Sequence, residues 1–238
     1  MAFADTTGVS LLLHLAHMDP QPAVQPVSAR SGRKVLLWML GVFLAAVVPA
    51  IVLPTVVCRP KAIELDDYGE IPAFTLRDET GHEFTQEALR GHVTLVNFIF
   101  TRCESICPVT SMKMQKLQEK TSMAGDTIKL VSFSGDPTYD TPEQLAAYAK
   151  RFAADPARWR FVTGPFASVQ ALVTGPMMQS MQQNGVTASG APDIAHNGHF
   201  VLVDTQLHIR GLYDSAEVTR LDAMVHHARY LARTASSR

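Results

Sequence analysis

The amino-acid sequence predicts an α/β domain with a mixed central sheet, preceded by a single membrane-spanning helix. Two observations carry this. From Val35 to Val57 the chain reads VLLWMLGVFLAAVVPAIVLPTVV, without a single charge, and roughly 20 such residues cross a bilayer as a helix. Beyond residue 73, short apolar runs rich in β-formers alternate with stretches of helical periodicity and close on a hairpin and a helix. That alternation is the pattern of helices layered on a sheet.

The 238 residues, 47% of them apolar, carry a formal net charge of -1. A chain so balanced offers no basic face for nucleic acid and no acidic tract that would stay unfolded. Residues 1–34 are polar and proline-bearing with no sustained period, and are expected to form a poorly ordered cytoplasmic tail. Residues 35–57 form the expected transmembrane helix. A buried core helix or a cleaved signal peptide would also be apolar. The run is longer than the roughly 7–15-residue core of a signal, however, and no small-x-small cleavage site follows it. Pro49 and Pro54 each remove a backbone donor, so the far end is expected to kink or fray.

Arg30, Arg33 and Lys34 precede the span and Arg59 and Lys61 follow it, a slight lean toward a cytoplasmic N-terminus. The first 34 residues hold Asp5 and Asp19 and few arginines, unlike the Arg-rich, acid-poor transit peptides of mitochondria. A bacterial inner membrane is therefore favoured over a mitochondrial one. Residues 58–72, with Pro60 and Pro72, form a tether, and 73–238 form the outer domain. Cys58 stands at the membrane exit. Val57 occupies the place where a lipoprotein box has a small residue, so Cys58 reads as a bystander.

Within the domain, Phe74–Arg77 and His82–Thr85 are expected to pair as a hairpin through Glu79-Thr-Gly81. Val93–Phe100 reads as a strand buried on both faces. Val109, Met112 and Leu117 mark a helix beyond Pro108. A second strand is expected over 128–133. Thr141 caps the next helix, with Pro142 at its first position and Gln144 three residues after the cap. A strand at 160–163, a helix from Phe166 to Met181, a hairpin of 199–204 with 207–212, and a helix over 217–233 complete the series.

Three cysteines in so long a chain are no disulfide framework. Cys103 and Cys107 stand at i and i+4 between a buried strand and a helix start, a spacing that brings both sulfurs to one side. Helix N-terminal N–H groups stabilise negative charge and are expected to lower thiol pKa values. Such a pair can hold a soft metal or close reversibly as a disulfide. Thiolate softness selects Cu(I), zinc or iron–sulfur clusters. Two cysteines are too few for a cluster and leave zinc short of its usual four ligands. Cu(I) accepts two or three ligands, so two thiolates and one imidazole would suffice.

The segments Phe98-Ile-Phe-Thr-Arg-Cys-Glu-Ser-Ile-Cys-Pro108, Val131-Ser-Phe-Ser-Gly-Asp-Pro137, Asp140-Thr-Pro-Glu143 with Tyr148-Ala-Lys-Arg-Phe152, and His196 to Asp204 resemble the Sco/SenC family of copper-delivery and redox proteins. The resemblance spans residues 70–235. It implies a thioredoxin-like, three-layer fold and a single N-terminal anchor. It also implies a copper ion, as Cu(I) or also as Cu(II), bound by Cys103, Cys107 and His196. The implied task is assembly of the dinuclear copper centre of cytochrome c oxidase, so the implied partner is its copper-receiving subunit or another copper enzyme. Glu104, Ser105 and Ala195 depart from the family pattern, which bears on affinity and redox potential through the surroundings of the ligands.

His199 competes with His196. If His196 stands at a strand mouth, period-two alternation turns His199 to the opposite face. The other histidines read as structural. Met112, Met114, Met177, Met178 and Met181 read as flexible core filling rather than thioether ligands. Asp136-Pro137 reads as a turn, the carboxylate having no evident partner. Two functions stay open: a copper-binding assembly factor, and a thiol–disulfide oxidoreductase using Cys103 and Cys107 to reduce a copper-accepting partner. The three intervening residues, against two in C-x-x-C reductases, lean toward metal ligation. A peroxidase would use Arg102 beside Cys103, but Cys107-Pro108 fits that chemistry poorly.

Overall fold

The computed structural model describes residues 29–57, 63–103, 106–178, 181–186, 192–196 and 198–235. The tail up to residue 28, Cys58, Glu104 and Ser105 lie outside these residues, as do the side chains of Met181, Ala195 and His196. The chain divides into two compact units, Met1–Lys61 and Ala62–Arg238.

In the first unit, helix α1 spans Ala29–Val57. Its stretch Gly32–Ile51 is long and apolar enough to cross a membrane and is not buried against protein. Leu36, Trp38 and Phe43 are exposed, an arrangement that is costly in water and natural in lipid. The helix carries through Pro49 and Pro54 instead of ending at either. Each proline forfeits one donor, a loss the remaining ladder absorbs.

The second unit is built on a seven-stranded sheet. Its strands are β1 (Thr75–Asp78), β2 (Glu83–Thr85), β3 (Val93–Ile99), β4 (Ile128–Ser134), β5 (Trp159–Thr163), β8 (His199–Val203) and β9 (Ile209–Asp214). Between β5 and β8 in sequence, β6 (Met181–Val186) and β7 (Pro192–His196) pair as a separate two-stranded sheet. The large sheet runs in the order β2-β1-β5-β4-β3-β8-β9. β3, β4 and β5 are parallel, and the strands outside them are antiparallel to their neighbours. Helical crossovers join the parallel neighbours, short turns join β1 to β2 and β8 to β9, and the antiparallel pairs β1–β5 and β3–β8 are long-range.

Alternation along the central strands sorts two apolar clusters onto the two faces. Leu95 and Ile99 of β3, Leu130 of β4, Phe161 of β5 and Phe200 and Leu202 of β8 lie in one cluster. They are covered by α2 (Ile106–Lys120), α3 (Pro142–Arg151) and α5 (Val218–Ala235). Val96, Val131, Phe133, Val162, Val201 and Val203 face the other cluster, under α4 (Phe166–Thr174) and the β1–β2 hairpin. The result is three layers. Cys103 and Cys107 belong to the first cluster.

Thr141 caps α3 as expected, its Oγ1 accepting the Gln144 N–H at 3.4 Å, with Pro142 in the first turn. The turn between β8 and β9 is held by Asp204, whose Oδ1 accepts the N–H groups of Gln206 and His208. One expected helix is shorter in the structure. α4 ends at Thr174 rather than Met181, because Gly175 and Pro176 follow and proline cannot continue the ladder. Met181 instead opens β6, and the β6–β7 pair is an element the sequence reading does not contain. Its residues, MQQNGV and PDIAH, lack the apolar alternation that marks a strand.

Residues 68–71 run along the edge of the sheet. Tyr68 N–H donates to Ile209 O, Ile71 N–H to Leu207 O, and Ile209 N–H to Gly69 O. Beside them, His208 Nδ1 lies 2.9 Å from Asp67 Oδ2.

Candidate metal centre

The cysteines stand at the carboxyl end of β3, where parallel sheets place their ligands. Directly after the strand, the chain makes a tight turn, with Cys103 N–H donating to Phe100 O at 3.1 Å. Thr101 and Arg102 are the central residues of that turn. Cys103 therefore sits on the loop, and Cys107 on the first turn of α2. The backbone N–H of Cys107 donates to Cys103 Sγ at 3.4 Å, so the i, i+4 spacing does bring one sulfur against the backbone of the other residue. Both side chains are buried, Cys107 completely.

The local electrostatics differ from the expectation of lowered thiol pKa values. Hydrogen bonding with the Cys103 sulfur, then burial, pushes the Cys107 thiol well above its ordinary value. Two sulfurs in a dry site disfavour a second negative charge more strongly than the helix N-terminus favours it. A metal cation removes that penalty by replacing the proton.

The loop after β4 braces the turn. β3 and β4 end in register, Ile99 beside Ser134, so their loops emerge side by side. Asp140 accepts the backbone N–H and the hydroxyl of Thr101 and also the hydroxyl of Ser134. Arg102 Nε donates to Asp136 Oδ2 at 2.9 Å, and its guanidinium lies 4.5 Å from the centre of the Tyr139 ring. Burial pushes the Asp140 carboxyl above its ordinary value, against the pull of its three donors. Asp136, read from the sequence as a turn residue without a partner, is thus half of an ion pair beside Cys103. The pairing needs the parallel register of β3 and β4, which no local pattern reveals. A cleft of about 250 Å³ lined by Thr101, Tyr139, Gln144, Tyr148 and Arg151 opens next to this turn. The Tyr148 hydroxyl lies 2.9 Å from Ser111 Oγ, and burial raises its pKa.

His196 is the last residue of β7, its backbone in register with Met181. Two residues later Gly198 packs against the start of α2. With φ at +64°, a Cβ there would fall 3.1 Å from Ile106 Cδ1 and 3.2 Å from Ser215 Oγ. Gly198, two residues after His196, therefore lies beside Ile106, the residue that precedes Cys107. His199 opens β8 opposite Asp214, in phase with Val201 and Val203 on the face away from the cysteines. Among the described residues no three His, Cys, Asp or Glu side chains are gathered as a ligand set. Of the five methionines weighed as thioether ligands, Met114 and Met177 fill the core, whereas Met112 and Met178 are exposed.

Fold and site define a class: a thioredoxin-like α/β domain with a thiol pair at the carboxyl end of a central strand. The SCO1/SenC family model matches residues 64–232, and the chain belongs to that family. It is 30% identical over 156 residues to the SCO1 protein homolog of Bacillus subtilis, covering 66% of this chain and 79% of that protein. Among solved structures it is similar to BsSco, described as a member of the Sco family of cytochrome c oxidase assembly proteins with a disulfide switch. There the identity is 27% and the TM-score 0.60, over 71% of this chain and 96% of that one. It shares its fold with ScoI of Bradyrhizobium japonicum, solved with copper bound, at 20% identity and a TM-score of 0.59, over 68% and 99%.

Proposed function

We propose that this protein is a membrane-anchored copper-binding factor that assists delivery of copper to, and assembly of, the dinuclear copper centre of cytochrome c oxidase. Copper is its cargo, and Cys103, Cys107 and His196 are the residues that hold it. The observation that carries the reading is the pairing of two buried cysteines across one turn and one helix start, with Cys107 N–H on Cys103 Sγ. Two soft sulfurs in a water-poor site select Cu(I) over harder ions. An imidazole completes a ligand set of the size Cu(I) accepts. His196 is favoured over His199 because Gly198 brings its segment beside Ile106, while His199 shares a face with the opposite cluster.

The apolar helix α1 fits a membrane anchor. The finer topology we propose is a bacterial inner membrane, with the N-terminus cytoplasmic and the copper domain periplasmic. The copper-receiving subunit of the oxidase would then lie in the same membrane. A second reading keeps the same pair as a redox couple that reduces cysteines of a copper-accepting partner. It is favoured by the disulfide switch ascribed to BsSco.

Copper stoichiometry of the full chain in detergent micelles, with and without His196→Ala, tests the assignment. The expected result is a sharp loss of copper binding while Cys103 and Cys107 can still be oxidised to a disulfide. Undiminished binding in the variant would remove His196 from the site. A wild-type chain that binds no copper would leave the reductase.

A further inference from the structure

The turn that leads into Cys103 is also held from outside the cysteine segment. Its two central residues are each gripped by an aspartate of the next loop: Thr101 by Asp140, and Arg102 by Asp136. The two aspartates are tied to each other. Asp140 N–H donates to Asp136 O at 2.8 Å, Asp136 N–H donates to Ser134 Oγ at 3.1 Å, and that hydroxyl donates to Asp140. Gly135 N–H donates to Ile99 O at 2.9 Å, fixing this loop to the end of β3 just before the turn. Asp140 is fully buried and Asp136 nearly so.

A turn whose middle residues are polar would ordinarily be free to exchange conformers at the surface. Here its backbone is pinned at Thr101 and its outer side chain is clamped at Arg102. Charge-assisted bonds of this kind are the strong ones, and burial of Asp140 removes the competition from water.

We infer that Asp136 and Asp140 are positioning residues for the cysteine pair: they clamp the turn that delivers Cys103 and so set where its sulfur stands relative to Cys107. The inference rests on the reading that these two sulfurs hold copper. Neither carboxylate is proposed as a ligand; each acts through the turn. Loops without such a clamp would bind the ion only after an ordering step, which lowers apparent affinity by the fraction of chains in the competent state.

The test uses the full chain in detergent micelles as wild type, Asp136→Asn, Asp140→Asn and Asp136→Glu. Cu(I) affinity is read by competition with a chromophoric chelator, and the thiolate-to-Cu(II) absorption band reports site geometry. The rate of cysteine alkylation in metal-free protein and the melting temperature complete the set. Both Asn variants are expected to lose about 10- to 100-fold in affinity, the range found when groups behind metal ligands are removed. Their absorption band should move and their alkylation should speed up. Asp136→Glu, which keeps a carboxylate for Arg102, should retain most of the affinity.

Folded Asn variants with unchanged affinity, band and alkylation rate would overturn the inference, whatever their melting temperature. If Asp140→Asn does not fold, Asp136→Asn, at the more exposed Arg102 pair, decides alone. If the wild type binds no copper, the copper reading falls by itself. The alkylation rates then still judge the clamp, since unchanged rates in the variants would overturn it without any metal.

Discussion

The N–H of Cys107 donates to the sulfur of Cys103 at 3.4 Å, the backbone of one proposed ligand holding the side chain of the other. This contact exists because β3 stops at Ile99, the chain turns at once, and α2 begins at Ile106. Cys103 thus closes the turn, and Cys107, four residues on, lies in the first turn of the helix.

Cys103→Ser keeps the shape of the turn and replaces a soft donor with a hard one. Copper affinity should fall by more than the roughly 10–100-fold that outer-shell changes cost. Cys107→Ala should do the same and, since Cys107 is fully buried, lower stability by about 1 kcal/mol through the small cavity it leaves. Competition titration and thermal unfolding separate the two effects. A Cys107→Ala chain that still binds copper tightly would remove that residue from the site.

Gly198→Ala probes the approach of the His196 segment to the cysteine helix. The residue lies at φ +64°, and the added methyl would meet Ile106 Cδ1 and Ser215 Oγ at 3.1 and 3.2 Å. The left-handed conformation alone costs a non-glycine residue about 1–2 kcal/mol. Both the melting temperature and the copper affinity should drop. A variant that loses stability but binds copper as before would show that this crossing does not position the third ligand.

The parts legible in the sequence are those fixed by local chemistry. Thr141, Pro142 and Gln144 announce the start of α3, and the apolar run at 93–99 announces a strand covered on both faces, as found. The cysteine pair is legible for the same reason, since four residues set its geometry. Three features are not. Asp136 finds Arg102, and Asp140 finds Thr101, only through the parallel register of β3 with β4, a relation between segments more than thirty residues apart. The β6–β7 pair is polar and carries no period. The raised pKa of Cys107 depends on a burial that a helix-terminus argument does not contain.

Ser132→Ala tests the sheet beneath the site. Trp159 Nε1–H donates to Ser132 Oγ at 2.9 Å, and that hydroxyl donates to Asn97 Oδ1 at 2.6 Å. All three residues are buried. Removing the hydroxyl leaves an indole N–H and an amide oxygen without this partner in a dry layer, which costs about 1–3 kcal/mol. The expected result is a lower midpoint in denaturant with an unchanged slope. Because Ser132 bonds to Trp159 and Asn97 and not to the loops that hold the turn, copper affinity measured in the folded range should hardly move. Equal stability to the wild type would mean that water or a shifted side chain replaces the bond.

Residues 67–71 run along β9 at the sheet edge, and one histidine just before that strand holds them. His208 Nδ1 faces Asp67, which Arg210 also reaches, with Asp204 and Glu70 as its other charged neighbours. The hydrogen bond to Asp67 raises the His208 pKa above its ordinary 6.5, and the Asp67 carboxyl is held below 3.8 by the Gly69 N–H and by His208. A raised histidine contributes its full stabilisation below the unfolded value and loses it as pH rises through the folded one. A depressed carboxyl contributes above its unfolded value and loses that contribution as pH falls through the folded one. The pair should therefore hold residues 67–71 to β9 between those limits, and the hold should weaken as pH climbs past 6.5. Hydrogen exchange at the amides of Tyr68, Ile71 and Ile209, corrected for intrinsic rates, should show more protection at mildly acidic than at mildly alkaline pH. His208→Ala should flatten that difference while leaving the amides of β3 as protected as before. Protection that rises with pH in the wild type, or a pH response surviving in the variant, would assign the hold to the backbone pairing alone.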